Sequence, residues 1–102
     1  MKVSELEGVA LDWAVALCEV GPIDIKDIDD PHFYSTDWAE GGPIIEREKI
    51  TTEWTGEDWM GYIRHDEEFF GPTPLIAAMR CYVTSRLGEE ITVPEAYLET
   101  SN

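Results

Sequence analysis

Apolar residues recur at helical spacing in two stretches, one near each end of the chain. In the first stretch the apolar stripe consists of Leu6, Val9, Ala10, Trp13, Leu17 and Val20. The sequence Ser4-Glu5-Leu6-Glu7 has the form of a capping box, and Gly21-Pro22 prevents the helix from continuing. Leu11 and Val15 fall outside the stripe, so we expect this helix to contact protein on more than one side.

The second helical stretch has its own start and stop signals. Thr73 is a typical N-cap residue, Pro74 suits the first helical position, and Gly88 follows the end of the pattern. The stripe consists of Ile76, Met79, Val83 and Leu87. On a helical wheel Arg80 projects about 40° from Ile76, inside the stripe.

Between these helices the pattern alternates, as it does in strands with one buried face. Ile23 and Ile25 alternate with polar residues and predict a strand. The segments from Ile50 to Trp54 and from Trp59 to Arg64 are rich in β-branched and aromatic residues. Because a turn-forming sequence separates them, they predict a β-hairpin.

The order of these elements predicts an α+β fold. We interpret residues 65–72 as a loop that carries Phe69 and Phe70 inward. The chain is then a small single domain, residues 1–102, with a few-stranded antiparallel sheet and helices packed on one face. We expect the polar tail, about residues 95–102, to be flexible.

The stretch STDWAEGGPIIERE places glycine, which has the greatest backbone freedom of any residue, next to proline, which has the least. Ser35 or Thr36 suits an N-cap, and Asp37 suits the positive end of a helix that continues through Trp38. Gly41-Gly42-Pro43 then predicts a break before a second helical piece. The break is either an anion cradle at a helix N-terminus or a plain tight turn. We favour the turn, because neither nucleotide-binding fingerprint is present.

Composition and charge restrict the classes of function. Aspartate and glutamate number 22 against 7 lysines and arginines, a formal net charge of −15. Such a surface repels nucleic acid and anionic membranes and attracts basic protein surfaces. The 43% hydrophobic content suffices for a core, so the acidity does not indicate disorder. Without an 18-residue apolar run or a signal-peptide pattern, we expect a soluble protein that is not secreted.

The sequence contains no pattern typical of a catalytic or metal site. Cys18 and Cys81 resemble small core residues of a protein in a reducing compartment. The sequence does not decide whether they form a disulfide. His32 and His65 each stand alone among acids. There is no HExxH motif, no nucleophile elbow and no calcium-binding loop pattern. We therefore predict no catalytic residue, no metal and no cofactor.

Arg80 is the first candidate for a binding residue. An arginine directed at a core must be satisfied by a carboxylate or by backbone carbonyls. It is either half of a structural ion pair, with Asp37 or Glu46 as the partner, or the floor of a pocket for an anionic ligand. We favour the structural pair, because such pairs commonly explain this placement.

The tryptophans supply the remaining candidates. Trp54 and Trp59 flank the predicted hairpin turn, and either one can stack on a ring if it faces outward. We expect Trp13 and Trp38 to lie in the core. The candidate ligand-binding residues are Asp37, Trp38, Gly41, Gly42, Trp54, Trp59 and Arg80.

Three blocks of the sequence, MKVSEL, STDWAEGGPIIEREKI and TPLIAAMRCYVTSRLG, resemble the NinX-type proteins of tailed phages and their prophages. The blocks occur in the family's order and extend over most of the chain. The resemblance implies a small cytoplasmic protein of a phage accessory region with no established reaction. The positions it carries over are Ser35, Asp37, Trp38, Gly42, Pro43, Thr73, Pro74 and Arg80.

Three functions remain open. The protein sequesters a small, anionic, nucleotide-like host defence signal without chemistry; or it is an acidic inhibitor that binds a basic, DNA-binding surface of a host protein by mimicry; or it is an enzyme acting on a small anionic substrate. The third lacks a nucleophile or metal set. Phage accessory proteins of this size often act against host systems, an association that favours the first two. We expect a non-enzymatic protein of the host cytoplasm, with sequestration leading and a homo-oligomer possible.

Overall fold

A computed structural model of the chain describes residues 1–21, 33–64 and 66–97. Its helices are α1 (Gly8–Val20), α2 (Trp38–Glu48) and α3 (Pro74–Leu87), and its strands are β1 (Thr51–Trp54), β2 (Trp59–Tyr62) and β3 (Phe69–Gly71). Short 3-10 turns lie at Val3–Glu5 and Glu95–Tyr97. The strands form one antiparallel sheet in the order β1-β2-β3. The prediction of an α+β fold is confirmed.

Helix α3 lies at the centre of the fold, between the sheet and the other two helices. Its residues 75–83 are all buried, so its surroundings are protein on every side. A Cβ at Gly61 would lie 3.0 Å from the Ala77 carbonyl oxygen, and one at Gly71 would lie 2.8 Å from the Ala77 nitrogen. These two glycines let the strands pack directly against the helix backbone.

The predicted ends of α3 and the predicted hairpin are confirmed. The Thr73 side chain accepts a hydrogen bond from the Ile76 N–H at 3.1 Å, and Gly88 ends the helix with φ of 93°. In the hairpin Trp54 pairs directly with Trp59. Local signals suffice in both places because the backbone groups at helix ends and turns are satisfied by residues nearby in sequence.

The expected capping box at the start of α1 is wrong. Ser4 lies in a 3-10 turn, α1 begins at Gly8, and the N-cap residue Glu7 makes no side-chain cap. The first residues instead pair with the segment that follows α3, where the Val3 N–H donates to the Glu89 carbonyl at 2.8 Å. This long-range pairing holds the start of the chain in a non-helical path.

The side of α1 that faces the core also differs from the predicted stripe. Leu11 and Val15 are fully buried, whereas Val9 is 46% and Val20 73% exposed. The expectation that α1 contacts protein on more than one side agrees with six consecutive buried residues, 10–15.

The predicted break after Trp38 is also wrong. Helix α2 runs from Trp38 to Glu48 with Gly41, Gly42 and Pro43 inside it. A Cβ at Gly41 would overlap the Tyr34 carbonyl oxygen and lie 2.6 Å from Leu75 Cδ1. Gly41 is therefore needed for the close approach of α2 to its neighbours, and not for a turn.

The segment expected to be a loop between the hairpin and α3 contains the third strand, β3. Phe69 is half-buried and packs against the core, but Phe70 is 44% exposed. The expectation that both rings point inward was wrong for Phe70, because successive residues of a strand face opposite sides of the sheet.

Two further predictions concern the segment after α1 and the tail of the chain. The strand predicted at Ile23 and Ile25 lies outside the described residues, as do residues 98–102 of the tail. Within the tail, Tyr97 is buried, with its ring centroid 5.8 Å from that of Trp13. Across the described ranges, no helix combines the length and the apolar character needed to span a bilayer.

Candidate functional site

Arg80 is satisfied by backbone carbonyls. Its Nε donates to the Leu6 carbonyl at 2.8 Å and its Nη1 donates to the Phe70 carbonyl at 2.8 Å, while Nη2 lies 4.0 Å from a Glu7 carboxylate oxygen. The guanidinium is suited to this because its N–H groups diverge in one plane. Arg80 thereby fastens the first residues of the chain and β3 to α3.

The predicted partners of Arg80 were wrong: Asp37 and Glu46 both lie on or next to α2, and neither is among its contacts. Burial lowers the pKa of Arg80 from its ordinary value, and the Glu7 carboxylate opposes that change. The arginine nevertheless stays charged at neutral pH, because a guanidinium does not lose its proton under the conditions in which proteins fold.

Three surface clefts adjoin β3, and Arg80 lines one of them. The first, about 440 Å³, is lined by Arg80 and Phe70 together with Glu57, Asp58 and Glu68. Acids therefore outnumber the single cation in it. A cleft of this composition disfavours a free anion and favours a cationic group.

The other two clefts repeat this composition. The second, about 630 Å³, and the third, about 360 Å³, share Glu68, Phe69 and Glu89. We call the set of acids that lines the three clefts the acidic face: Glu57, Asp58, Asp66, Glu67, Glu68, Glu89 and Glu90. The cations lining the same clefts are Lys2, Arg64 and Arg80.

The candidate residues at the start of α2 serve the helix. Asp37 is the N-cap, and its Oδ1 accepts a hydrogen bond from the Ala39 N–H at 2.9 Å. The Gly41 N–H donates to the Asp37 carbonyl at 2.9 Å, so it is not part of an anion cradle. Trp38 is 54% exposed, which corrects the expectation that it is a core residue.

The two hairpin tryptophans contact each other. The ring centroids of Trp54 and Trp59 lie 5.4 Å apart with an interplanar angle of 56°. Trp54 is 55% exposed and Trp59 is half-buried. One ring therefore faces outward, as stacking requires, but the described contacts of Arg80 include neither tryptophan. These contacts include neither Asp37 nor Trp38, so the candidate residues are not gathered around Arg80.

A charged network that no sequence pattern predicted joins the C-terminal parts of α1, α2 and α3. Arg47 donates to both carboxylate oxygens of Glu19, at 3.0 and 2.7 Å, and to Glu48 at 2.8 Å. The buried Tyr82 donates its hydroxyl to Glu19 and accepts a hydrogen bond from Arg47 at 3.1 Å. Arg86 completes the network through Glu48 and the Tyr82 ring.

The network has a defined electrostatic effect. The hydrogen bonds from Arg47 hold the pKa of Glu19 and of Glu48 below the ordinary value of 4.5. Burial, reinforced by the Glu19 carboxylate, raises the pKa of Tyr82. The charges thus stabilise each other. Two of the chain's seven lysines and arginines, Arg47 and Arg86, are held in these structural contacts.

A buried acid, Asp12 of α1, holds the turn before α2. Its Oδ1 accepts a hydrogen bond from the Ser35 N–H at 2.8 Å. Burial raises the pKa of Asp12 above its ordinary value of 3.8, and the Ser35 hydrogen bonds oppose that rise. The sequence signal was available, since Asp12 interrupts an otherwise apolar run from Val9 to Leu17.

Neither a metal site nor a disulfide is formed by the described residues. Across the three described ranges, no group of three or more histidine, cysteine, aspartate or glutamate side chains has a metal-binding arrangement. Cys18 and Cys81 are free thiols, and burial raises the pKa of each to about 11. Such thiols are unreactive at neutral pH.

The fold and the site define a small α+β protein with an acid-lined surface in which the innermost arginine serves the structure. Comparison with known protein families identifies the family to which it belongs. A family model described as "Bacteriophage P22, NinX" matches residues 2–86, and the chain belongs to this family. No curated protein matches the chain.

Proposed function

We propose that this phage protein acts without catalysis, by binding a basic surface of a protein in the cytoplasm of the infected bacterium. The observation that carries the proposal is the acidic face, on which seven carboxylates from three adjoining clefts accompany three cations. A surface of this kind attracts basic proteins and accelerates their association.

The use of the arginines supports the same function. Arg47 and Arg86 are engaged by Glu19 and Glu48, and Arg80 is engaged by two backbone carbonyls. The acids of the acidic face therefore meet few internal counter-charges, and their field extends into solvent. A basic, DNA-binding surface of a host protein is the target that this field fits best.

The experiment is a charge reversal with a matched control. Glu68 lines all three clefts and is exposed, whereas Glu46 is an exposed glutamate of α2. Immobilised wild-type protein should retain a basic host protein that elutes with added salt. Glu68→Lys should lose most of this retention and Glu46→Lys should keep it, although both change the net charge equally.

Two results would contradict the proposal. Equal loss in both variants would mean that only net charge matters, and retention that is unaffected by salt would remove the electrostatic basis. If the retained protein binds DNA, an excess of duplex DNA should also displace it, which tests mimicry directly.

Sequestration of a nucleotide-like signal is a second candidate function. One observation favours it: Arg80 lines the cleft of about 440 Å³ beside the exposed ring of Phe70. A cation beside an aromatic ring suits a phosphate and a base, but the three acids in the same cleft oppose it. Native mass spectrometry with a panel of linear and cyclic nucleotides tests this function, and a bound nucleotide would place it ahead of the first.

A further inference from the structure

The sheet has one face that α3 covers and one that it does not. Gly61 lies against the backbone of Ala77, so the residues paired with it face α3. Strand alternation then places the next rung, which pairs Glu53 with Met60 and Met60 with Phe70, on the opposite side. We call this side the outer face, with Thr51 and Tyr62 as its remaining members.

The outer face is apolar at its centre. Met60 and Tyr62 are half-buried, and Phe70 is 44% exposed. Within the described part of the chain, α3 packs against all three strands from the other side, and the 3-10 turn Val3–Glu5 contacts β3. A methionine and aromatic rings on a sheet face that α3 leaves uncovered are typical of the centre of a protein interface.

The outer face continues into the acidic face. Phe70 belongs to the outer face and also lines the cleft that contains Glu57, Asp58 and Glu68. Residues 51–71 include six acids and one arginine. An apolar centre with an acidic rim is complementary to a basic segment that carries apolar side chains.

From this complementarity we infer that the outer face is the docking surface for a basic protein segment whose apolar side chains pack on Met60 and Phe70. The inference rests on the proposed function and adds the place of binding and the apolar component of recognition. The charge of the surface argues against a second copy of this chain as the occupant, because two acidic rims would repel each other.

Two peptides of equal charge test the inference. The first has eight lysines and four leucines, and the second has serine in place of each leucine. Isothermal titration calorimetry at low salt should show that the wild-type protein binds the leucine peptide about tenfold more tightly, the effect expected for burying one exposed aromatic ring.

Matched phenylalanine variants locate the effect. Phe70 and Phe33 are 44% and 51% exposed. Phe70→Ser should reduce the preference for the leucine peptide to within about twofold, and Phe33→Ser should leave it at about tenfold. Equal loss in both variants, or no loss in Phe70→Ser, would overturn the inference. Thermal melts of both variants verify that they are folded.

A measurement on the unmodified chain guards against a variant that fails to fold. With the leucine peptide bound, oxidation of Met60 by dilute hydrogen peroxide should slow at least threefold relative to the free protein. Met1, which is 53% exposed, serves as the internal control and should not slow. Unchanged oxidation of Met60, or equal slowing of both residues, would contradict docking on the outer face.

The remaining outcomes separate the two proposals. If neither peptide binds, the proposed function loses its support. If both bind with equal affinity, basic partners are recognised by charge and only the docking inference fails. If sedimentation shows a wild-type dimer that Phe70→Ser dissociates, the occupant is a second copy and the inference is overturned.

Discussion

The two sides of α3 pack by different means. On the side of the sheet, glycines bring strand backbone against Ala77, and the Arg80 guanidinium donates to backbone carbonyls. On the side of α1 and α2, the contact ends in a network of charged side chains around Tyr82, in which Arg47 is 49% exposed. We expect the sheet side to tolerate little substitution, and the helix side to respond to pH and salt.

The largest effect should come from Arg80→Met. The change leaves the carbonyl oxygens of Leu6 and Phe70 without their donors, and unsatisfied buried polar groups are costly. We expect urea unfolding to show a loss of about 3–5 kcal/mol in the free energy of unfolding. Arg80→Lys should recover part of it, because an ammonium group cannot match the planar fork of donors.

The control is Arg64→Met, which removes an equal charge from an exposed position and should change stability by no more than about 0.5 kcal/mol. If Arg80→Met were as stable as the wild type, the carbonyl contacts would be dispensable. The arginine would then be better explained by a ligand in the cleft beside Phe70.

The second effect uses two adjacent glycines of α2. A Cβ at Gly41 would overlap the Tyr34 carbonyl oxygen, whereas at Gly42 the nearest atom is a Trp38 ring carbon at 3.9 Å. Gly41→Ala should therefore cost about 1–3 kcal/mol through overpacking. Gly42→Ala should raise the free energy of unfolding by about 0.5–1 kcal/mol, because alanine has a higher helix propensity than glycine. In chemical denaturation we expect the two substitutions to change the free energy of unfolding in opposite directions. A change in the same direction would show that α2 does not pack on α3 as described.

This pair shows why the sequence analysis misjudged α2. Gly41-Gly42-Pro43 disfavours a helix in every local scale, yet the Asp37 cap and the packing of Gly41 against Leu75 support a continuous one. Packing between elements distant in sequence overrides local propensity. The caps and the hairpin were predictable because their partners lie within a few residues.

In the candidate site, too, local features were predictable from the sequence and contacts between distant residues were not. The position of Arg80 inside the core was predictable from helical spacing, and so was its need for partners. The partners themselves were not, because Leu6 lies 74 residues away and contributes only its backbone. A carbonyl group has no signature in the sequence. The acidic face was visible as net charge but could not be located without the fold.

The third effect tests the charged network through Glu19→Gln. At pH 7 the loss should be about 1 kcal/mol, since the partner Arg47 is partly hydrated and solvent screens the pair. The pKa of Glu19 is lowered in the fold, so its contribution is present above the ordinary value of 4.5 and disappears as the pH falls through the lowered value. Unfolding at several pH values should show the two proteins converging below pH 4.5. A constant difference would mean that the charge is irrelevant.

The smallest effect should have the opposite sign, and it comes from Asp12→Asn on the same helix. The pKa of Asp12 is raised by burial, so its contribution is present below the ordinary value of 3.8 and is lost as the pH rises through the raised value. Asparagine carries no charge and retains an oxygen for the Ser35 N–H. At pH 7 the variant should be as stable as the wild type, or more stable by up to about 1 kcal/mol. Toward pH 3 this advantage should vanish.

Asp12→Ala separates the hydrogen bond from the charge. It removes the acceptor of the Ser35 N–H, so it should cost about 1–3 kcal/mol near pH 3. The cost should be smaller at pH 7 by up to about 1 kcal/mol, because the wild type then carries the buried charge. If Asp12→Asn lost as much as Asp12→Ala at pH 7, the carboxylate charge itself would hold the turn before α2. The two acids of α1 would then act alike, and the distinction between a buried acceptor at Asp12 and an ion-paired carboxylate at Glu19 would fail.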